Sequence, residues 1–358
     1  MWIRELRVKD FRNHKNTKIV LDNGVNVFVG KNAQGKTNLL EAIFLTCVGR
    51  GWRTRNDREM INFDADTAVV KAVAQKSYGD VNVEILLSRT SKKAIKINSI
   101  PVQKMGELMG QINCVFFSPD ELRLIKDAPA DRRRFLDISL SQLDKNYFYS
   151  LLRYNKILAQ RNSLLKSTTE DIERGLDIWD NELVKEGAKI IYKRIDFLQQ
   201  IRPSVEGVHS FLTNKSESIE IVYESNLKLD GCQEDIEKCF LEALMIAREK
   251  DMRQRTTTIG PHRDDICISI NGKDVRQFAS QGQQRTVALS IKLAEVRVFK
   301  EQTGEMPVLL LDDVLSELDE SRQERLLEAI KGVQAVITTT QNVDGAAKTF
   351  KIREGDVL

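Results

Sequence analysis

Cysteine, histidine and long apolar runs are scarce in this 358-residue chain, and each scarcity excludes something. The five cysteines, Cys47, Cys114, Cys232, Cys239 and Cys267, form no C-x-x-C pair, and three histidines accompany them. That set argues against a disulfide framework and against structural zinc, and a reducing cytoplasm is the expected location. No stretch approaches the ~18 consecutive apolar residues of a membrane span. The opening residues, MWIRELRVKDFRNH, alternate and carry charge, unlike a signal peptide. Internal repeats and low-complexity segments are missing, which argues against a repeat array. A net charge of +3 neither demands nor excludes nucleic acid, so any DNA site would be a local patch. What is present, 41% hydrophobic and 30% charged residues, suits a globular protein of two domains or of one domain with an insertion.

The strongest local pattern is VNVFVGKNAQGKTNLLEAIFL, Val25 to Leu45, which reads as a buried strand, a loop and a helix. Within it Gly30, Lys31, Asn32, Ala33, Gln34, Gly35, Lys36 and Thr37 match the phosphate-binding pattern G-x-x-x-x-G-K-[ST] without a mismatch. Gly30 and Gly35 let the backbone curl so that successive N–H groups face an anion. The helix beginning near Lys36 adds its positive dipole end. Lys36 is expected to reach the β- and γ-phosphates of a nucleotide and the Thr37 hydroxyl to ligate Mg²⁺. Asn32 and Gln34 sit in the turn as further contacts. The apolar face of the helix is expected at Leu39, Leu40, Ile43, Phe44 and Leu45.

Before this stretch, residues 2–9 and Thr17 to Leu21 read as strands, an antiparallel flank on which a base could rest. After it, Gly49 to Met60 carries Arg50, Arg53, Arg55 and Arg58 against Asp57 and Glu59, either a solvated loop or a basic loop near phosphates or DNA. Trp52 in that loop is available for packing or stacking. Residues 67–76 and 79–88 read as paired strands, with another hairpin through Asn98-Ser99. The pattern changes at Ser118-Pro119-Asp120-Glu121, a helix-start signal. Helical periodicity then runs from about Asp131 to Leu165 and from about Leu176 to Leu212, the second tract broken at Pro203. Arg132, Arg133 and Arg134 mark either a charged helix start or a phosphate contact. A strand at Ile219 to Ser225, a helix over 233–253 and β character from Thr258 to Val275 follow, with a turn at Asn271-Gly272. The expected division is 1–115 and 256–358 as one α/β body, interrupted by a helical arm over 116–255.

Two later stretches define the kind of phosphate-loop protein. PVLLLDD ends an apolar strand in Asp312 and Asp313, with Asp312 expected to hold Mg²⁺ and Asp313 to act as general base on the attacking water. FASQGQQRTVAL places Ser280, Gly282, Gln283 and Gln284 at a helix start, a second anion site. One triphosphate rarely needs two such loops, so the second is read as capping the γ-phosphate of a nucleotide held by another copy of the chain.

The order GKNAQGKT, SQGQQ, LLLDD, SELD resembles an ABC-type ATPase head: phosphate loop, signature, Walker B strand and D-loop (Ser316 to Asp319). Within that class FRNH (Phe11 to His14), RGWRTRND, SPDELRLIKDAPADRRRFLD, TIGPHRDD and SQGQQRT resemble the RecF family of bacterial recombination-repair ATPases, related to the SMC group. The matches extend from the first strand to the C-terminal region. The resemblance implies an α/β fold: an ABC-type ATPase head, that is, a P-loop NTPase with a mixed sheet and an antiparallel β flank, carrying an inserted α-helical arm. It implies weak, DNA-stimulated ATP hydrolysis with Mg²⁺, ATP-dependent homodimerisation, binding to DNA at gaps or junctions, and work with RecR and RecO in loading RecA. It adds Arg12, Asn13 and Asn38 as nucleotide contacts, with Ser280, Gly282 and Gln283 acting in trans. Asp313 stands where many ABC ATPases carry glutamate, SQGQQ has one glycine fewer than the common LSGGQ, and AVITTT (Ala335 to Thr340) offers threonines where a switch histidine is common. A transporter's nucleotide-binding subunit and a small-molecule kinase are the alternatives. The inserted helical tract weighs against the first, SQGQQ and the D-loop against the second.

Overall fold

The computed structural model describes residues 1–54, 56–167, 172–227, 233–341, 343 and 345–358. Arg55 and Cys232 lie outside the described residues. In chain order the strands are β1 (Trp2–Phe11), β2 (His14–Val20), β3 (Val25–Val29), β4 (Thr67–Lys76), β5 (Gly79–Ser88), β6 (Ala94–Ile97), β7 (Ile100–Pro101), β8 (Cys114–Phe117), β9 (Ile219–Glu224), β10 (Asp265–Ile270), β11 (Lys273–Asp274), β12 (Val308–Asp312), β13 (Ala335–Thr339), β14 (Lys348–Arg353) and β15 (Asp356–Val357). The α-helices are α1 (Lys36–Val48), α2 (Arg123–Lys126), α3 (Pro129–Leu143), α4 (Lys145–Leu164), α5 (Ile172–Leu212), α6 (Gln233–Gln254), α7 (Val275–Phe278), α8 (Gln281–Thr303) and α9 (Glu320–Ala329). The chain divides into two compact units, one of Met1–Leu122, Gly207–Glu217 and Arg285–Leu358, the other of Arg123–Glu206 and Ser218–Gln284.

The first unit holds two six-stranded sheets. One has the order β2-β1-β4-β5-β6-β7 and is antiparallel throughout. Its strands alternate buried and exposed residues, as in β4 and β5, so one face is covered and the other meets water. The other sheet has the order β15-β14-β3-β13-β12-β8, with β14, β3, β13, β12 and β8 parallel. Every residue of β8, β12 and β13 is buried, which is why they read as unbroken apolar runs. Helix α1 contacts β1, β4 and β5 of the first sheet and β8, β12 and β13 of the second. The expected apolar stripe is therefore part of a helix buried nearly all round: Leu39, Leu40, Ala42, Ile43, Leu45 and Cys47 are all at 0% exposure. Each large side chain so buried contributes about 1.5–3 kcal/mol, and the sum fixes the helix that carries the phosphate loop.

The second unit is helical with a small sheet, β11-β10-β9. Buried Arg161 of α4 donates to Asp180 of α5 at 2.6 Å and to Asp251 of α6 at 2.7 Å, tying three helices through one guanidinium. Arg132 is 1% exposed and grips Asp265 through both carboxylate oxygens, at 2.5 and 2.9 Å. Arg133 donates to the Asp264 carbonyl at 2.7 Å. Arg132 is thus a buried ion-pair residue rather than a phosphate contact.

Three sequence expectations change. Helix α5 runs unbroken through Pro203. The neighbouring Leu198, Ile201 and Val205 are buried at 3% exposure or less, and their packing outweighs the ~3 kcal/mol that an interior proline costs. The first helical tract is two helices, α3 and α4, divided at Asp144, whose side chain caps α4 by accepting from the Asn146 N–H at 2.8 Å. The last return to the first unit falls at Arg285 rather than near 256, after a short passage through it at Gly207–Glu217. Strand β10 pairs with β9 and β11 and so belongs to the helical unit, although its alternating sequence looked like a return to the first body.

Candidate functional site

The parallel sheet aligns the ends of β3, β13 and β12. Asp312 pairs with Thr338, and Thr338 with Phe28, so the phosphate loop leaves β3 beside both. Ligand sites in such sheets form at these carboxyl ends. The two loop glycines have different physical reasons. A Cβ on Gly30 would lie 2.3 Å from the Ile352 carbonyl oxygen of β14, so strand contact demands glycine there. Gly35 has φ +109, and a Cβ would meet the Asn13 amide at 2.7 Å and the His14 ring at 2.8 Å. Ala33 also holds a positive φ of 63°. Gly35 is the N-cap of α1 without a side-chain cap, and the first turn has no acidic residue. The helix start therefore presents N–H groups to an anion without a competing carboxylate.

Lys36 Nζ donates to the carbonyls of Gly30 at 2.5 Å and Lys31 at 2.9 Å, closing the loop on itself. Burial lowers its pKa, and the nearby Asp313 and Asp312 oppose that shift. Thr37 Oγ1 donates to Asp312 Oδ1 at 2.8 Å, and Thr338 Oγ1 donates to the same oxygen at 2.6 Å. Burial raises the pKa of Asp312 against the pull of those two hydroxyls. Asp313 stands at φ 51°, its N–H donating to Thr338 Oγ1 at 2.9 Å, and its Oδ1 is buried without a hydrogen-bond partner. Asn32, Ala33, Gln34, Gly35, Lys36, Thr37, Asn38, Arg53, Asp313 and Thr338 line a cleft of about 460 Å³, within the range of small-ligand sites. A hydroxyl and two carboxylates beside a phosphate loop form an all-oxygen donor set that suits Mg²⁺.

Around this cleft lies a charge cluster centred on Glu41, the member that sequence reading missed. Glu41, at 0% exposure in α1, accepts from Arg12 Nε at 2.9 Å and Arg53 Nη2 at 2.6 Å. Arg53 also donates to the Asn38 side chain. Asn13 donates to the Gln34 carbonyl at 3.1 Å and accepts from Asn38 Nδ2 at 2.7 Å. FRNH is thus the turn between β1 and β2, with Arg12 and Asn13 bonded to protein beside the loop. His14 is fully buried, Nε2 3.0 Å from the Gly35 carbonyl and Nδ1 2.6 Å from the Gly355 carbonyl. Burial lowers its pKa while both carbonyls favour the protonated ring. Trp52 is packing, stacked on Phe116 at 4.0 Å between centroids and edge-on to Phe44. A carboxylate inside the apolar run NLLEAIFL was the available signal for Glu41, and paired threonines in AVITTT were that for Thr338.

In the second unit, Ser280 and Gln283 make a reciprocal capping box at the start of α8. The Ser280 N–H donates to Gln283 Oε1 at 2.9 Å, and the Gln283 N–H to Ser280 Oγ at 3.3 Å. Gly282 lies in the first turn of that helix, and Gln284 Nε2 donates to the Val275 carbonyl at 3.3 Å. In the first unit, the Ser316 hydroxyl donates to the Asp313 carbonyl at 2.8 Å, and Asp319 caps α9.

The sequence profile of the family described as "RecF/RecN/SMC N terminal domain" matches residues 2–354. The DNA replication and repair protein RecF of Clostridium tetani is 41% identical, with 100% of both chains covered. That of Alkaliphilus oremlandii is 43% identical over 95% of this chain and 93% of its own. A solved structure described as the recombination mediator protein RecF-ATP in the RecFOR pathway superposes with a TM-score of 0.93 and 38% identity, covering 100% of this chain and 97% of that one. An SMC head bound to the C-winged helix domain of ScpA aligns with a TM-score of 0.60 at 16% identity, a likeness of fold alone.

Proposed function

Because this chain belongs to the RecF family of the RecF/RecN/SMC ATPases, we propose that it is an ATP-operated DNA-binding protein of replication and recombinational repair. The full-length match at 41% identity carries the reading. It leaves the transporter-subunit and small-molecule-kinase alternatives without support. In this proposal the triphosphate lies in the cleft of the first unit, its β- and γ-phosphates on the loop amides and Lys36, with Asn32, Gln34 and Asn38 at the margin. Thr37 and Asp312 would hold Mg²⁺, which supplies positive charge to the β- and γ-phosphates when bound. Asp313, whose buried Oδ1 has no protein partner, accepts the proton of the attacking water. Its side chain is one methylene shorter than glutamate, consistent with weak hydrolysis that serves as a switch.

Ser280, Gly282 and Gln283 are proposed to act on a nucleotide held by a second copy of the chain. The exposed start of α8, a 23-residue helix, supports that role through the positive end of its dipole. ATP then joins two copies and hydrolysis releases them. DNA at gaps or junctions is the proposed macromolecular ligand, with DNA stimulation of hydrolysis. RecR, RecO and the loading of RecA form the proposed pathway, in the cytoplasm. Sedimentation of the chain with ATP, with gapped DNA, with both and with neither tests this. A dimer that needs ATP and is favoured by DNA is expected; a monomer under all four conditions overturns the assembly cycle.

A further inference from the structure

The phosphate loop turns its N–H groups inward, so its carbonyls face outward and need donors of their own. Lys36 serves Gly30 and Lys31, Asn13 serves Gln34, and a further donor to Gln34 comes from a hairpin distant in sequence. Strands β14 and β15 are joined by the two-residue turn Glu354-Gly355, with φ of 51° and 88°, the signature of a tight hairpin. The Gly355 N–H donates to the Gln34 carbonyl at 3.0 Å, and the Glu354 N–H to Gln34 Oε1 at 2.8 Å. His14 bridges the two segments, Nε2 on the Gly35 carbonyl and Nδ1 on the Gly355 carbonyl. Thr17 Oγ1 adds a 3.3 Å bond to the same Gly355 oxygen. The fit leaves no slack, since a Cβ on Gly355 would lie 2.2 Å from the Asn13 carbonyl oxygen. On the opposite flank Ile352 presses its carbonyl against Gly30. Between these contacts Ala33 is held at a positive φ, a costly conformation for a residue with a side chain.

We infer that the Glu354-Gly355 turn, with His14, is a clamp on the outer face of the phosphate loop, and that Gly355 and His14 are positioning residues for triphosphate binding. The inference rests on the phosphate-loop reading and adds to it a second determinant, whose turn lies 320 positions from Gln34 in sequence. The buried His14 ring, wedged between the two carbonyls and donating to one of them when neutral, couples the loop and the hairpin through one rigid body. A displaced hairpin removes an outward donor from Gln34 and releases Ala33 and Gly35 from the conformation that aims their N–H groups at phosphate. ATP and ADP share the phosphates nearest the loop, so both should weaken together, whereas hydrolysis of nucleotide already bound should change little.

The test compares Gly355→Ala, His14→Gln, His14→Ala and Lys36→Ala by fluorescent ATP and ADP titration and by turnover at saturating ATP. Gly355→Ala should weaken both nucleotides about tenfold or more while turnover at saturation stays within about threefold, the pattern of lost uniform binding. His14→Gln keeps one amide donor and should fall between the parent and His14→Ala. In the parent protein ATP should slow hydrogen exchange at Glu354 and Gly355, because the coupling is reciprocal. That measurement decides the matter if a variant does not fold. Parental affinity in folded Gly355→Ala and His14→Ala, or exchange at the turn that ignores ATP, overturns the clamp. If Lys36→Ala has by then abolished binding, the nucleotide site itself stands; if Lys36→Ala binds like the parent, the phosphate-loop reading falls with the clamp.

Discussion

Replacing Glu41 with Gln removes a charge at the centre of the first unit while keeping the side chain's volume. Glu41 is at 0% exposure, and both arginines converge on its Oε2, Arg12 at 2.9 Å and Arg53 at 2.6 Å. A glutamine offers a neutral carbonyl oxygen to one side and an NH₂ to the other. The NH₂ would then face either the two guanidinium groups or the Arg53 backbone N–H, which sits 3.5 Å from Oε1. Breaking a fully buried pair costs about 3–5 kcal/mol. Here the Arg12 side chain is 20% exposed and that of Arg53 is 36% exposed, so both keep part of their hydration. The cost should fall to about 2–3 kcal/mol, the range of a charged hydrogen bond. In a unit on the order of 200 residues, 1 kcal/mol moves Tm by about 2–4 °C, so Tm should drop by roughly 4–12 °C. Circular dichroism melts of the parent, Glu41→Gln, Arg53→Ala and the double variant form a mutant cycle. Arg53→Ala should cost clearly less in the Glu41→Gln background than in the parent. ATP affinity should fall as well, because Arg53 and its partner Asn38 line the cleft. A melt within about 2 °C of the parent, or full additivity, would refute the assignment of Glu41 as the anchor of both arginines.

Asp313→Asn should bind ATP, form a longer-lived dimer and hydrolyse at least ~100-fold more slowly; normal turnover in a single-turnover assay removes Asp313 from the base role. Ser280→Arg should leave ATP binding to the monomer intact and block the ATP-dependent dimer, read by sedimentation, and a persisting dimer refutes capping in trans. Asp312→Asn gives a pH prediction. Burial raises the folded-state pKa of Asp312, so ionising it costs the folded state stability that is lost as pH rises through that raised value and fully restored below the ordinary carboxylate value of ~4. The asparagine variant should therefore melt higher than the parent at neutral pH, with the gain vanishing in acid, while losing ATPase activity; an equal or lower melt at neutral pH contradicts it.

Much of the nucleotide site was legible because its residues are close in sequence or carry rare spacing. The loop, the helix behind it and the strand ending in Asp312 and Asp313 are local patterns, and the structure joins them through Thr37 and Asp312. The reason for Gly30 was not legible, since it is the approach of Ile352 from another strand. FRNH was read for Arg12 and Asn13, and the role of His14 was not legible because its Gly355 neighbour lies 341 residues away. Glu41 showed only as a carboxylate inside an apolar run, and its partners Arg12 and Arg53 come from segments 29 and 12 positions away. The domain return was misplaced because β9 and β10 alternate as strands anywhere would, and only their pairing shows which unit they complete. Pro203 misled for a related reason: local helix cost is visible in sequence, whereas the burial that overrides it is not.

The order of the parallel sheet has a consequence for synthesis. Among the named strands β3 pairs with β13 and β14, and β8 pairs with β12, so neither N-terminal strand gains a parallel neighbour until the chain passes Val308. The antiparallel sheet, in contrast, draws all its strands from the first 101 residues and can close early. At about 5–20 residues per second, the emerging chain spends roughly ten seconds or more with the inner face of α1 uncovered. During that time Lys36 and Thr37 are already made but Asp312 and the β14–β15 hairpin are not. Competence to hold a triphosphate therefore arrives only once Asp312 and the β14–β15 hairpin have been made.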